Sequence, residues 1–537
     1  MRDSNRRWQV TCAGAACACL LAKAAFATGT TAKHAPPARG FVPGMRLTIG
    51  RATTFITHPL KKDGLPDYAA ALNLHFSKGV TPGNNAAAFL FQTIPPTALP
   101  AKYWPEFYRM LGIPIPSGLY YLRLPQRLRH FSSRLSIVCQ KPWPAQRHPW
   151  IAKYLRNNAA ALRLWIHAGN LTKFYWPILP SRKTGLLISG PMPRLYYERL
   201  AWRMLVARAM LEAQKKHPAP AERALAGVFR LTAMASDVPV LIAQVVAWKA
   251  AEDAANATIY LASHNALPAG PARALLNVLH RLPRLRGPAY SMGHGQRLVA
   301  LDFVTRMAAA RGAATGLFML PSKRDAKTHV PGLAGANWNE IMRTVNQYCD
   351  AAVAAFRRPT FAAQGRALEA INRRIREVVT GLPAHGASMH WQKFQNGFTS
   401  TDHHSVVVRT FSRHFFERRG PYSQRIARLL IALIAPSLTQ TVVLHNRGVM
   451  AVRLAKTALA LRIYESRHGR YPASLRALLP RYLPRIPDNV YTHQPLHYSP
   501  QGNTYQLWAN TPISEAFFSS KTRIRTRRLM VRGYAAR

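Results

Sequence analysis

Acidic residues are scarce in this sequence. The 537 residues include 21 Asp and Glu against 74 Lys and Arg, which gives a formal net charge of +53 at pH 7. A surface of this kind repels itself and attracts polyanions. Two interpretations stay open. The charge recognises nucleic acid, anionic lipid or anionic glycan, or it is a general feature of proteins that face an acidic exterior.

Cysteine is also sparse. Cys12, Cys17 and Cys19 fall in the N-terminal leader, which leaves only Cys139 and Cys349 for the rest of the chain. A dense disulfide framework is therefore excluded. The two remaining cysteines form one disulfide in an oxidising compartment or stay as two free thiols.

Long apolar runs are missing as well. No stretch reaches the roughly 18 charge-free apolar residues that are typical of a membrane helix, and the nearest, 429–444, is interpreted as a buried helix. Residues 1–27 have the pattern of a signal peptide: early arginines, a short apolar run and Ala25-Phe26-Ala27 as a cleavage pattern. We therefore expect an exported protein, periplasmic or associated with the cell envelope. Membrane association would come only from an uncleaved leader or from anionic lipid.

Recognised catalytic spacings are absent too. The chain has no G-x-S-x-G frame around Ser291, no phosphate loop and no HExxH motif. The pair Glu252-Asp253 is expected to pair with arginine or to face solvent rather than to act as acid and base. Asp402-His403-His404, with His414 downstream, is expected to arise by chance in a histidine-rich chain. The sequence predicts no catalytic residue, no metal and no cofactor, and an enzyme acting on an envelope polymer is the least supported function.

The patterning predicts a mainly α fold, a multi-helix bundle or α-solenoid-like body with a small C-terminal α+β module. A basic linker at 28–66 is expected to lead into a helical body at 67–435, in which the Ala-rich stretch 240–262 is central. An Asn-Asn-Ala-Ala-Ala pattern occurs twice, at 84–88 and 157–161, and Thr81-Pro82 is predicted to open the first of these helices. The aromatic stretches 102–110 and 173–177 are expected in the core.

The C-terminal part has a distinct order of elements. A long helical pattern covers 436–468 and ends at Gly469, and Pro472 prevents an immediate restart. Gln501-Gly502-Asn503 is predicted as a hairpin turn between strands at 496–499 and 505–508. A stretch at 513–537, rich in arginine after Lys521, is expected to be a solvated basic tail.

This order resembles the soluble part of type II secretion pseudopilins. The resemblance covers 436–512 and rests on the long helix, the His468-Gly469 junction with Tyr471-Pro472, and the small sheet. It implies a borrowed module, because no prepilin-type N-terminus directly precedes the helix. Pseudopilins commonly hold calcium with acidic loop residues, whereas this chain has Asp488 there and no other acid until Glu515. Residues 57–510 contain the stretches DYAAALN, GVTPGNNAA, YRMLGIP, NNAAALRLWIHAG, DVPVLIAQVV and HGRYPASL. With them the chain also resembles an uncharacterised family of large exported bacterial proteins, which implies architecture and location but no mechanism.

The leading functional hypothesis is a non-enzymatic scaffold that contacts other envelope proteins, near secretion or pilus-like machinery. Filament subunits pack such helices through an apolar stripe, which supports this hypothesis. The alternative is a polyanion-binding protein that uses the arginine-rich surface and tail. The predicted interaction residues are the stripe with its junction tyrosine, and the tail arginines: Val452, Leu459, Ile463, Tyr471, Arg523, Arg525, Arg527 and Arg528.

Overall fold

The computed structural model describes residues 47–118, 120–125, 128–192, 194–309, 336–379, 422–434, 438–512 and 526–534. Within these ranges the protein is mainly helical, with a small antiparallel sheet near the C-terminal end, as the sequence predicted. The predicted signal peptide, and the linker as far as residue 46, lie outside the described residues.

The α-helices follow one another along the chain. They are α1 Tyr68–Phe76, α2 Ala86–Phe91, α3 Trp104–Leu111, α4 Leu128–Val138, α5 Pro149–Asn157, α6 Ala159–Ala168, α7 Arg194–Gln214, α8 Pro218–Ala235, α9 Leu241–Ser263, α10 Ala269–Arg281, α11 Pro288–Ser291, α12 Arg297–Ala309, α13 Trp338–Phe356, α14 Phe361–Val379, α15 Tyr422–Ile434 and α16 Leu438–His468. Several of their described connections are short, whereas longer extended segments precede α4 and α7. A π-helical turn, Met292–Gln296, joins α11 to α12.

Helix α9 is central to the body, as its composition predicted. It packs against α7, α8 and α16. Small residues make these contacts close: Ala247 and Ala254 are completely buried, and the backbone of α16 approaches α9 at Gly448. A Cβ atom at Gly448 would lie 2.9 Å from the carbonyl oxygen of Trp248. Small side chains thus form the grooves into which neighbouring helices fit.

Three buried asparagines attach extended segments to the first helices. Each amide donates to and accepts from the backbone of one distant residue, as a neighbouring strand would. The pairs are Asn73 with Ile178 (2.8 and 2.9 Å), Asn85 with Tyr175 (2.9 and 2.9 Å) and Asn158 with Arg123 (3.0 and 2.7 Å). Asn85 and Asn158 occupy equivalent positions in the repeated pattern, and the helices that follow them, α2 and α6, pack together.

The second helix begins later than predicted. The cap is Asn85, whose side chain accepts from the backbone N–H of Ala87, rather than Thr81. Thr81 lies in the preceding turn, where its N–H donates to Asn84 at 2.8 Å. Asparagine side chains compete with helical hydrogen bonding, and two of them in succession delay the helix until Ala86.

Both aromatic stretches lie in the core, as predicted. Phe107 and Tyr108 are buried on α3, and Phe174 and Trp176 are buried in the extended segment after α6. The proline-flanked aromatics therefore contribute apolar area rather than a surface for stacking ligands.

Residues 47–66 differ from the predicted linker, because they pack on the helical body. The Asn346 amide on α13 donates to the carbonyl oxygens of Ala52 (3.2 Å) and Thr53 (2.6 Å). The Arg297 guanidinium on α12 lies 4.2 Å from the ring centroid of Phe55. The body thus satisfies the segment's backbone polar groups, and that interaction holds an otherwise irregular segment in place.

The long helix of the predicted C-terminal module shares its core with the body. Helix α16 packs along α9 and also against α10. It ends as predicted, with Gly469 in a left-handed conformation (φ +66°) and its N–H donating to the Glu465 carbonyl at 2.8 Å. Helix α16 is therefore packed with the body, whereas residues 435–436, where the boundary was predicted, lie outside the described residues.

The sheet contains the predicted hairpin and one further strand. Strands β1 His497–Gln501 and β2 Thr504–Pro512 pair antiparallel around a turn at Gly502 (φ +56°). Tyr505, Leu507 and Ala509 alternate into the core along β2. The third strand, β3 Thr526–Tyr534, pairs with the other edge of β2 and comes from the predicted basic tail. Backbone pairing with an open strand edge accounts for a strand that composition did not predict.

Candidate anion-binding site

The predicted interaction stripe faces the interior of the chain. Leu459 and Ile463 are 0% and 1% exposed, Val452 is partly buried against the core, and Tyr471 is 5% exposed with its ring against Tyr505. The amphipathic pattern predicted a surface for a partner helix. Instead, helices of the same chain cover it, because α9 and α10 pack against α16.

The tail arginines are only partly described. Arg523 and Arg525 lie outside the described residues. Arg527 and Arg528 are in β3, where their backbones face Thr511 and Asn510 of β2. Their part in anion binding stays a prediction.

Glu252 and Asp253 on α9 belong to an ion-pair network, as expected for carboxylates in an arginine-rich chain. Glu252 accepts from Arg447 of α16 at 2.7 Å, and Asp253 accepts from Lys249 at 2.6 Å. Arg203 of α7 lies 3.5 Å from the other oxygen of Asp253. Burial alone would raise the pKa of Asp253, but Lys249 and Arg203 together lower it below its ordinary value. Charge compensation between three helices is the role that this geometry supports.

Asp302 on α12 is a carboxyl group in the interior. It is 3% exposed, and its Oδ2 accepts the backbone N–H of Leu187 at 2.9 Å. Burial raises the pKa of Asp302, and the Leu187 N–H, Lys61 and Arg306 oppose the rise only in part. The folded protein therefore holds this proton to a higher pH than the unfolded chain does.

We expect Asp302→Asn to gain stability relative to wild type as the pH rises from 4 to 7. Over this range the Asp302 carboxyl group contributes less and less stability to wild type, because its pKa is higher in the folded protein than in the unfolded chain, and asparagine keeps the acceptor for Leu187 without titrating. The change amounts to about 1.4 kcal/mol per unit of pKa difference. Urea unfolding at several pH values measures it. Asp63→Asn is the control, because exposed Asp63 also accepts a backbone N–H, from Leu65 at 3.0 Å. A difference in unfolding free energy between Asp302→Asn and wild type that stays constant with pH would contradict this prediction.

The other residues that were considered as nucleophiles or metal ligands are not arranged for chemistry where the structure describes them. Ser291 is buried and donates to the Pro288 carbonyl at 3.3 Å. Cys139 and Cys349 are free thiols, and burial raises the pKa of both, which disfavours the reactive thiolate. The histidine cluster at 402–414 lies outside the described residues, and within the described ranges no group of three His, Cys, Asp or Glu side chains is placed to hold a metal.

A groove between α8 and α10 contains a half-buried carboxyl group. Glu222, Arg230, Asn277 and Arg281 line it together with apolar side chains. Burial raises the pKa of Glu222, and Arg230 and Arg223 oppose the rise. Arg230 is held by Asn170 at 2.8 Å. The carboxyl group of Glu222 makes this groove poorly suited to binding an anion.

Five basic side chains from three parts of the chain converge beside α16, and we call them the basic cluster. They are His280 at the end of α10, Arg284 in the segment after it, Arg453 and Lys456 one turn apart on α16, and Arg485 in the loop before the sheet. His280, Arg284 and Arg485 are exposed, and Arg453 and Lys456 are half-buried. The packing of α10 on α16 brings these distant positions together.

The cluster is electrostatically strained. Burial lowers the pKa of Lys456, and Arg453, Arg284 and Arg485 lower it further. Burial likewise lowers the pKa of Arg453, with Arg485 and Arg284 adding to the effect and Asp488 opposing it. Cations that depress one another's pKa in this way are relieved by a bound anion.

Backbone contacts hold the cluster in position. Arg453 donates to the carbonyl oxygen of Asp488 at 2.6 Å, which connects α16 to the 485–488 loop. The segment that carries Arg284 is anchored by His445, whose Nε2 lies 3.3 Å from the Leu285 carbonyl oxygen, and by Trp248, whose Nε1 donates to the Arg286 carbonyl at 2.9 Å. The site is therefore largely organised before any anion arrives. No sequence motif predicted the site, since its first and last members, His280 and Arg485, are 205 positions apart in the chain.

Comparisons with known proteins return nothing for this chain. Neither a family model, nor a curated protein, nor a solved structure matches it. No helix in the described part of the chain combines the length and hydropathy needed to cross a bilayer. The residues of the basic cluster are therefore the basis for an assignment of function.

Proposed function

We propose that this protein is an exported, non-enzymatic envelope protein that binds anionic polymers through the basic cluster. The observation that carries the proposal is the convergence of four cations beside α16, Arg284, Arg453, Lys456 and Arg485. Burial and the three arginines together lower the pKa of Lys456, which agrees with this arrangement. A net charge of +53 adds a long-range field that draws polyanions towards the surface. The location in this proposal comes from the predicted signal peptide at 1–27.

The scaffold hypothesis stays a prediction, but the surface on which it was based is buried within the chain. Its central feature was the apolar stripe of α16, and Leu459 and Ile463 are buried inside the chain. A partner helix would have to displace α9 or α10 to reach them. The basic cluster, in contrast, has three exposed members.

The test is binding of fluorescein-labelled dextran sulfate to the full chain across a range of salt concentrations. We expect Arg284→Gln/Lys456→Gln/Arg485→Gln to lower affinity at low salt by about tenfold or more. The slope of log K against log salt should become shallower by roughly two to three, because fewer counterions are released. Thermal stability should be unchanged or higher, since repulsion within the cluster is removed.

The control variant carries the same change in charge elsewhere. Lys153, Arg156 and Arg163 are exposed on α5 and α6, and replacing them by glutamine also removes one lysine and two arginines. An equal loss in both triple variants would show that binding follows total charge alone. A salt-independent affinity would refute the proposal.

A further inference from the structure

Four flat side chains form a row on the surface, which we call the stacking row. The Arg286 guanidinium lies 5.2 Å from the ring centroid of Tyr290. Tyr290 and His294 follow at 4.8 Å, and His294 and His75 are stacked at 5.2 Å with an interplanar angle of 16°. The row joins the 286–294 segment to the end of α1.

The row is held rigidly. The π-helical turn places His294 above Tyr290, and the His294 Nδ1 lies 2.9 Å from the Tyr290 carbonyl oxygen, which assigns the proton to Nδ1. At the other end, Asp237 accepts from Arg286 at 2.6 Å. π-Helical turns are frequently found at functional sites. A preorganised row loses little conformational entropy when a ligand binds.

The ends of the row are accessible. His75 at one end is exposed, and the Arg286 side chain at the other end is 57% exposed. His294, which stacks on His75, is exposed as well. Burial lowers the pKa of His75, and His294 and Lys78 lower it further, so that its ring is uncharged at neutral pH. The row thus ends in a neutral aromatic ring on one side and in a guanidinium on the other. Both are groups on which a nucleobase stacks.

The row is continuous with the basic cluster. Arg284 of the cluster and Arg286 of the row are separated by one residue in an irregular segment. Two residues span at most about 7 Å of chain. The stacking row therefore begins within about 7 Å of chain from a member of the basic cluster, and both arginines are exposed.

We infer that this combined surface binds single-stranded nucleic acid, with phosphates on the basic cluster and unpaired bases on the stacking row. The inference rests on the proposed function and names its ligand class. Anionic lipids and sulfated glycans carry the charge but no flat ring, and a duplex hides the faces of its bases. A row of flat side chains beside clustered cations is the combination with which proteins bind single strands without reading their sequence.

The test compares labelled oligo(dT) of twenty nucleotides with an abasic deoxyribose-phosphate strand of equal length. Wild type is expected to bind oligo(dT) more tightly by roughly 5- to 150-fold for each base that stacks. His75→Ala/His294→Ala should remove most of this preference and leave the affinity for the abasic strand and for dextran sulfate unchanged. His75→Phe/His294→Phe should restore much of it, because a phenyl ring also stacks.

The chain provides a matched control. His264 and His468 are exposed and each stacks on the tyrosine four residues earlier at 4.0 Å, with Nδ1 near that tyrosine's carbonyl oxygen (3.0 and 2.8 Å). His264→Ala/His468→Ala should keep the preference for oligo(dT). Equal affinity of wild type for both strands, or tighter binding to anionic phospholipid vesicles than to oligo(dT), would overturn the inference while the proposed function stands. Failure to bind dextran sulfate would instead overturn the proposed function.

Discussion

Replacing Leu459 and Ile463 of α16 by serine is expected to unfold the protein rather than to release a binding partner. Both side chains are almost fully buried. Truncation of a buried leucine or isoleucine typically costs about 2–5 kcal/mol, and a buried serine hydroxyl adds a further cost when it has no partner. Two such changes approach the roughly 5–15 kcal/mol by which a folded domain is stable.

Urea unfolding followed by circular dichroism measures this effect. Val452→Ser, at a partly buried position of the same helix, should cost less, and Arg467→Ala, at an exposed one, should cost little. If the double variant unfolded at the same urea concentration as wild type, the stripe would not be part of the core. The apolar stripe of α16 would then again be available as the partner surface of the scaffold hypothesis.

Gly295→Ala is expected to destabilise the protein by about 3 kcal/mol or more, which is the upper end of overpacking effects. A Cβ at this position would lie 1.5 Å from the carbonyl oxygen of Pro239, so the π-helical turn would have to move away from the segment before α9. This movement would displace His294, because His294 directly precedes Gly295 in the same turn. We therefore expect the variant to lose both stability and the preference for oligo(dT).

Gly293→Ala is the matched control in the same turn. There a Cβ would meet only a methyl group of Val353 at 3.4 Å, an ordinary contact. The change in unfolding free energy should stay within about 1 kcal/mol, since alanine also favours helical backbone. Similar midpoints of urea unfolding for the two variants would contradict the close approach at Gly295.

Local features were the part of the fold that could be predicted. The Ala-rich composition of 240–262 indicated a central helix, and Gly469 indicated the end of α16. The hairpin turn at Gly502 followed from turn chemistry. These predictions depended on residues close together in the chain, where backbone preference and periodicity act directly. The predicted start of α2 was wrong by a few residues. Asn84 and Asn85 compete for local hydrogen bonds, and the Thr-Pro signal did not reveal this competition.

The sequence alone determined the helical class of the protein, its positive charge and the apolar face of α16. It did not determine what covers that face, because an amphipathic pattern specifies burial but not the partner. Tertiary structure supplied α9 and α10 as the cover. It also assembled Arg284, Lys456 and Arg485 into one cluster, and His75 and His294 into one row. Electrostatic and stacking interactions act over a few ångströms in space. The number of residues between two positions does not give that distance, which is fixed only when the helices pack.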